Sequence, residues 1–239
     1  MRQIYQNILT SISQKKKLLA VLIDPDKIKL DYASNFIEKV NKSKVTHIFV
    51  GGSTVDNNLT EELVAVIKKH TALPIIIFPG DTNQITEKAD ALLFLSLVSG
   101  RNPDYLIGKH IEAVSKLSKT QLEVIPTGYI LIENGKETSV QKVTGTSPMS
   151  RNDIDSISDT AKAAELLGMK LIYLEAGSGA LHPINSEIIS SVKKELNIPL
   201  IVGGGIKSKI QFDEAYMSGA DLVVIGTAFE EDESFFNEL

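Results

Sequence analysis

Apolar residues along this chain gather into eight short runs, at 19–23, 47–50, 75–78, 91–95, 122–125, 171–174, 200–202 and 222–225, each closed by turn-forming or polar residues. Such runs suit parallel strands buried on both faces. Between them the spacing changes. Residues 32–40, 60–70, 104–117, 153–167, 184–196 and 208–217 place apolar side chains three and four apart, the repeat of a helix with one buried face. Ser150, Arg151 and Asn152 lead into one helix as cap formers, and Pro183 stands where a first helical turn tolerates proline. Strands alternating with helices predict a parallel sheet, and eight units predict its closure into a (β/α)8 TIM barrel. An open doubly wound sheet is the second choice, but no glycine fingerprint follows the first strand.

Two connections depart from the repeat. Residues 79–89 leave little room for a helix and open on Pro79-Gly80-Asp81-Thr82-Asn83, a loop sequence. Residues 127–149 are long and polar, with Asn134-Gly135 as a hairpin turn after Tyr129-Ile130-Leu131-Ile132. That segment reads as a lid or as a disordered insertion. No repeat or low-complexity tract marks a second domain, so one barrel domain is expected over 1–239.

Composition narrows the function classes. A formal net charge of −5 argues against a nucleic-acid partner. With no cysteine, disulfides, thiolate-ligated zinc and a cysteine nucleophile are excluded. Residues 1–17 lack the apolar core of a signal peptide, and the longest nearly apolar run, 91–98, is far shorter than a membrane span. A soluble cytoplasmic protein is expected, with any membrane contact peripheral.

In a parallel barrel the functional side chains gather where strands end. Those positions hold Asp24-Pro25-Asp26-Lys27, Gly51-Gly52-Ser53-Thr54, Pro79-Gly80-Asp81, Glu175-Ala176-Gly177-Ser178-Gly179, Gly203-Gly204-Gly205-Ile206 and Gly226-Thr227. A glutamate closing a buried strand needs a reason, and the glycines after it let a bound group approach the backbone. The last two loops have the make-up of a phosphate site, in which backbone N–H groups converge with no side chain in the way. Asp24 and Ser53, on neighbouring strand ends, suit one hard cation such as Mg2+ sharing a ligand's phosphate oxygens. The plainer alternative is that Asp24 caps a turn and Ser53 begins a helix. Asp26 and Lys27 read as solvated, and His47, His70, His110 and His182 lack metal-ligand spacing.

The segments Leu22-Ile23-Asp24-Pro25-Asp26-Lys27, Val50-Gly51-Gly52-Ser53, Phe94-Leu95-Ser96 with Asn102-Pro103, Tyr173-Leu174-Glu175-Ala176-Gly177-Ser178-Gly179, Val202-Gly203-Gly204-Gly205-Ile206 and Ile225-Gly226-Thr227 together resemble the geranylgeranylglyceryl phosphate synthase family. That family includes the bacterial heptaprenylglyceryl phosphate synthases. The likeness runs from about Leu19 to the C-terminus.

It implies a modified TIM barrel whose third helix is missing or replaced by a loop. It also implies transfer of a polyprenyl chain, geranylgeranyl by the family's name, from its diphosphate to the 3-hydroxyl of sn-glycerol 1-phosphate, with release of diphosphate. By position, Asp24 and Ser53 would bind Mg2+. Tyr173, Leu174, Glu175, Ala176, Gly177, Ser178, Gly179, Gly204, Gly205, Gly226 and Thr227 would hold sn-glycerol 1-phosphate. Glu175 is the expected proton acceptor, and Tyr105 either lines the groove for the tail or simply packs. A homodimer or homohexamer is implied as well.

In part of the bacterial family a phosphate-holding lysine stands two residues before the aspartate, where this chain has Leu22. The clamp is then left to the glycine loops, with Lys207 or Arg101 as helpers. A phosphosugar isomerase or lyase would use the same loops, but the apolar runs contain no lysine for Schiff-base chemistry. A non-catalytic phosphoglycerol-binding protein would not require Asp24, Ser53 and Glu175 at three strand ends.

Overall fold

The computed structural model describes residues 3–56, 58–232 and 234–235, without the side chains of 230 and 231, so an expected single domain over 1–239 reaches beyond it. Eight parallel strands close into a barrel in chain order: β1 (Leu18–Ile23), β2 (His47–Val50), β3 (Ile75–Ile77), β4 (Ala91–Leu97), β5 (Glu123–Leu131), β6 (Leu171–Glu175), β7 (Leu200–Gly203) and β8 (Leu222–Ile225). Their helices are α1 (Ile4–Ser13), α2 (Leu30–Lys42), α3 (Leu59–Ile67), α4 (Lys109–Leu117), α5 (Ser139–Thr144), α6 (Ile154–Leu166), α7 (Ser186–Glu195), α8 (Lys209–Met217) and α9 (Thr227–Glu231).

Strand alternation sorts the core into two layers. Leu171 and Tyr173 of β6 belong to the inner cluster, whereas Ile172 and Leu174 pack outward among the helices. Glu175 shares the parity of Tyr173, so the strand that buries its neighbours aims this carboxylate into the barrel mouth. At the other end α1 closes the barrel, with Ile4 and Ile8 in the inner cluster. Gln3 offers no side-chain cap to this helix. Instead the Glu123 carboxylate at the start of β5 accepts the N–H of Ile4 at 2.5 Å and of Tyr5 at 3.0 Å, satisfying two of the donors a helix start leaves open.

From β3 to β4 the chain makes a single 310 turn, Thr82–Gln84. Pairing is also shortest here, with Ile76↔Ala91 and Ile77↔Leu92 alone in register. The expectation of a hairpin at Asn134-Gly135 is corrected. β5 continues to Leu131, pairing Tyr129 with Tyr173 and Leu131 with Glu175, and the chain comes back through α5 to a parallel bridge, Ile132↔Met149. The apolar run at 122–125 is only the first part of β5, since Pro126 and Gly128 sit inside the ladder to β4, opposite Phe94 and Ser96.

Candidate active site

Glu175 forms the floor of a cavity of about 320 Å³ at the carboxyl-terminal rim. Although it is 5% exposed, it has partners: its Oε1 accepts the Gly177 N–H at 2.5 Å, and the Tyr129 and Tyr173 hydroxyls bond to the carboxylate. Burial pushes Glu175 up to about 7, and these bonds, led by Gly177, hold it from going higher. Burial and the Glu175 charge in turn raise both phenols well above their ordinary value. Gly204, at φ +84°, is required here, since a Cβ would lie 2.5 Å from Glu175 Oε1 and 2.6 Å from the Gly177 nitrogen.

Three loops meet above this floor. Ser178 Oγ lies 3.2 Å from Thr227 Oγ1, and Lys27 Nζ reaches Ser178 Oγ at 3.5 Å. Lys27 Nζ is also 3.8 Å from Asp24 Oδ2, and the lysine, exposed as its sequence context predicts, also lines the cavity. Burial raises Asp24, against the Asp26 N–H and Lys27, which lower it. Asp24, Ser53, Gly179, Gly205 and Gly226 line the same cavity, as do Tyr173, Glu175, Gly177, Ser178, Gly204 and Thr227. Leu174 and Ala176 do not. Both are fully buried in the outer layer, because alternation turns them away from Tyr173 and Glu175. Arg101 is also elsewhere, donating to the carbonyls of Gly100 at 2.6 Å and Val98 at 3.4 Å, whereas Lys207 lines the cavity.

A second, apolar cavity of about 120 Å³ adjoins the first beside the 310 turn. Leu92, Phe94 and Leu95 of β4 form one side, and Tyr105, His110 and Ala113 another. Gly52, Ser53, Phe78, Tyr129 and Val140 line both cavities and form their common wall. Phe78 packs on Tyr173 and Tyr129 with ring centroids 5.2 and 5.8 Å apart. Tyr129 and Val140 were not recognised in the sequence, where a β5 extending past Pro126 would have brought Tyr129 level with Tyr173.

No group of three or more His, Cys, Asp or Glu suited to a metal ion occurs among the described residues. A carboxylate and a hydroxyl on adjacent strand ends still fit a hard cation that keeps most of its oxygen ligands from water and phosphate.

Fold and site thus define a parallel (β/α)8 barrel with an acidic, glycine-lined cavity joined to an apolar one. The model of the PcrB family matches residues 11–239, and the chain belongs to that family. It is 55% identical over 234 residues to the geranylgeranylglyceryl phosphate synthase of Flavobacterium johnsoniae, covering 98% of this chain and 96% of the relative. The synthase of the same name from Pyrococcus furiosus is 39% identical, covering 91% of this chain and 86% of its own. Among solved structures, (S)-3-O-geranylgeranylglyceryl phosphate synthase from Thermoplasma acidophilum in complex with sn-glycerol-1-phosphate superposes with a TM-score of 0.93. It is 31% identical, covering 100% of this chain and 96% of that one.

Proposed function

We propose that the chain is a Mg2+-dependent prenyltransferase that joins the 3-hydroxyl of sn-glycerol 1-phosphate to a prenyl group, geranylgeranyl by its relatives, and releases diphosphate. The observation that carries this reading is the common wall of Phe78, Tyr129 and Val140 between a polar and an apolar cavity. An ether between a phosphorylated polyol and a hydrocarbon must form where two such spaces meet.

In this reading the loops at Ser178-Gly179, Gly204-Gly205 and Gly226-Thr227 offer N–H groups to the glycerol phosphate, while the Gly177 N–H stays on Glu175. The prenyl tail lies in the apolar cavity and its diphosphate at Asp24, Ser53 and Lys27. The C1–O bond of the diphosphate breaks with its electron pair leaving on diphosphate. The glycerol oxygen bonds to C1, and its proton passes to a Glu175 oxygen. A base raised by burial to about 7 can lose its proton near neutral pH and still take one up, the balance general-base catalysis favours. Asp24 and Ser53 would hold Mg2+, which when bound would supply charge neutralisation for the departing diphosphate.

A homodimer or homohexamer belongs to the same proposal. Ile111, Leu167 and Met217, 68%, 79% and 75% exposed, are apolar surface that such an assembly would cover. A cytoplasmic location belongs to it too. No helix among the described residues is long and apolar enough to cross a membrane.

The direct test incubates the purified protein with Mg2+, sn-glycerol 1-phosphate and prenyl diphosphates of several lengths and looks for the ether product. Parallel reactions use sn-glycerol 3-phosphate or a chelator. Product with the first acceptor and metal is expected, and its absence with every donor overturns the reading.

A further inference from the structure

The base proposed above is oriented by a peptide unit rather than a side chain. The bond between Ala176 and Gly177 is planar, so its C=O and N–H point in opposite directions and the aim of one fixes the other. Its N–H meets Glu175 Oε1 at 2.5 Å. Its C=O accepts Nδ2 of Asn134, which enters from the connection after β5.

Asn134 is 1% exposed, and both ends of its amide are used: Nδ2 on Ala176 and Oδ1 accepting the Lys136 N–H at 3.2 Å. Only one orientation of the amide satisfies both partners, since a flipped amide would set N–H against N–H and oxygen against oxygen. A buried asparagine with both ends satisfied is a rigid handle.

Resting on the reading of Glu175 as the proton acceptor, we infer that Asn134 is a positioning residue: its grip on the Ala176 carbonyl holds the Gly177 N–H on the Glu175 carboxylate. The loop does not need the Asn134 side chain to stay in place. The Asn134 backbone carbonyl accepts the His182 N–H at 3.2 Å. Arg151 donates to the carbonyls of Glu133 at 3.1 Å and Pro183 at 2.9 Å. Thr138 packs over Gly177 from the same side, leaving no room for a Cβ there. Removing the amide therefore frees one peptide plane to rotate while the loop stays tied.

A rotated plane takes the N–H away from Glu175. The other groups on the carboxylate are the Tyr173 hydroxyl from β6 and the Tyr129 hydroxyl from β5. Asp24, Asp26 and Lys27 of the loop after β1 and Lys207 of the loop after β7 line the same cavity, and an Asn134 substitution leaves all of them in place. Losing a donor from a buried carboxylate favours its protonated form, so the acid limb of activity moves to higher pH.

The test compares wild type with Asn134→Leu, close in shape and without the amide, and Asn134→Ser, which is smaller and guards against a folding failure of the first. Two readouts follow the same group: the pH dependence of kcat, and the 13C NMR titration of the Glu175 carboxyl carbon, which does not depend on turnover. Expected are an upward shift of both midpoints by about half a pH unit or more and a loss of kcat at pH 7 of about twofold or more that is largely recovered at pH 9. Midpoints equal to those of wild type in a folded variant overturn the inference. Glu175→Gln, assayed alongside, keeps the two questions apart. If that enzyme turns over normally, the role of Glu175 is wrong. If it is dead while the Asn134 midpoints stay put, the positioning claim alone is wrong.

Discussion

Glu123 and Glu175 sit at opposite ends of the barrel, and each accepts backbone N–H groups, yet their surroundings give them different work. At the amino-terminal end Glu123 meets two donors of α1 and completes a helix start that has no cap of its own. At the carboxyl-terminal end Glu175 meets one backbone donor and two phenols in a cavity that sets it near 7. The lower end uses a carboxylate to hold a stopper in place, and the upper end keeps one poised between two protonation states. Position along the strand, more than residue type, separates stability from chemistry in such barrels.

The strongest way to break this contrast is Glu175→Gln. Turnover should fall by about 10²- to 10⁴-fold while sn-glycerol 1-phosphate still binds, as read by steady-state assay and calorimetry. Asp24→Asn should follow, with a loss on the order of 10²- to 10³-fold in kcat and a weaker response to added Mg2+ in a metal titration.

Stability should move the other way at Glu175. Its folded value of about 7 lies above the ordinary 4.5, so between those pH values the folded chain binds more protons than the unfolded one, and stability falls as pH rises through that window. Glu175→Gln removes the ionisation and should gain up to about 3 kcal/mol at pH 8 over its difference from wild type at pH 4, measured by urea unfolding. Glu123→Ala should instead lose about 1 to 2 kcal/mol with turnover per folded molecule unchanged. A fall in turnover without a fall in stability would put the lower end into the chemistry and erase the contrast. The smallest effect belongs to Ala113→Phe, which fills part of the apolar cavity. It should raise KM for the longest prenyl diphosphate by about tenfold and leave the acceptor's KM alone, since overpacking one wall costs about 1 to 3 kcal/mol.

What could be read from the chain divides along the same lines. Short apolar runs located every strand, and the glycine-rich ends of β6, β7 and β8 pointed to the rim, because burial on both faces and close backbone approach leave direct marks on residue choice. The family resemblance places Leu174 and Ala176 at the ligand; alternation about Glu175 turns their side chains outward, and a run apolar on both faces does not show which face is which. Tyr129 was hidden because Pro126 and Gly128 look like a strand end until the neighbouring ladder is known. Helix α1 was hidden among the polar residues of 1–17, its buried face reduced to Ile4 and Ile8. Lys27 is a surface lysine in the structure as in the sequence, and only the fold of the loops after β6 and β8 shows that it also lines the cavity.

The stopper formed by Ile4 and Ile8 has a kinetic meaning. Among the described residues α1 closes the amino-terminal end, so in the proposed reaction the acceptor and the spent diphosphate would pass the carboxyl-terminal rim, where the polar cavity lies. Departure of one occupant then governs admission of the next, and the pace of a full cycle can be set by traffic at that threshold while bond making stays fast.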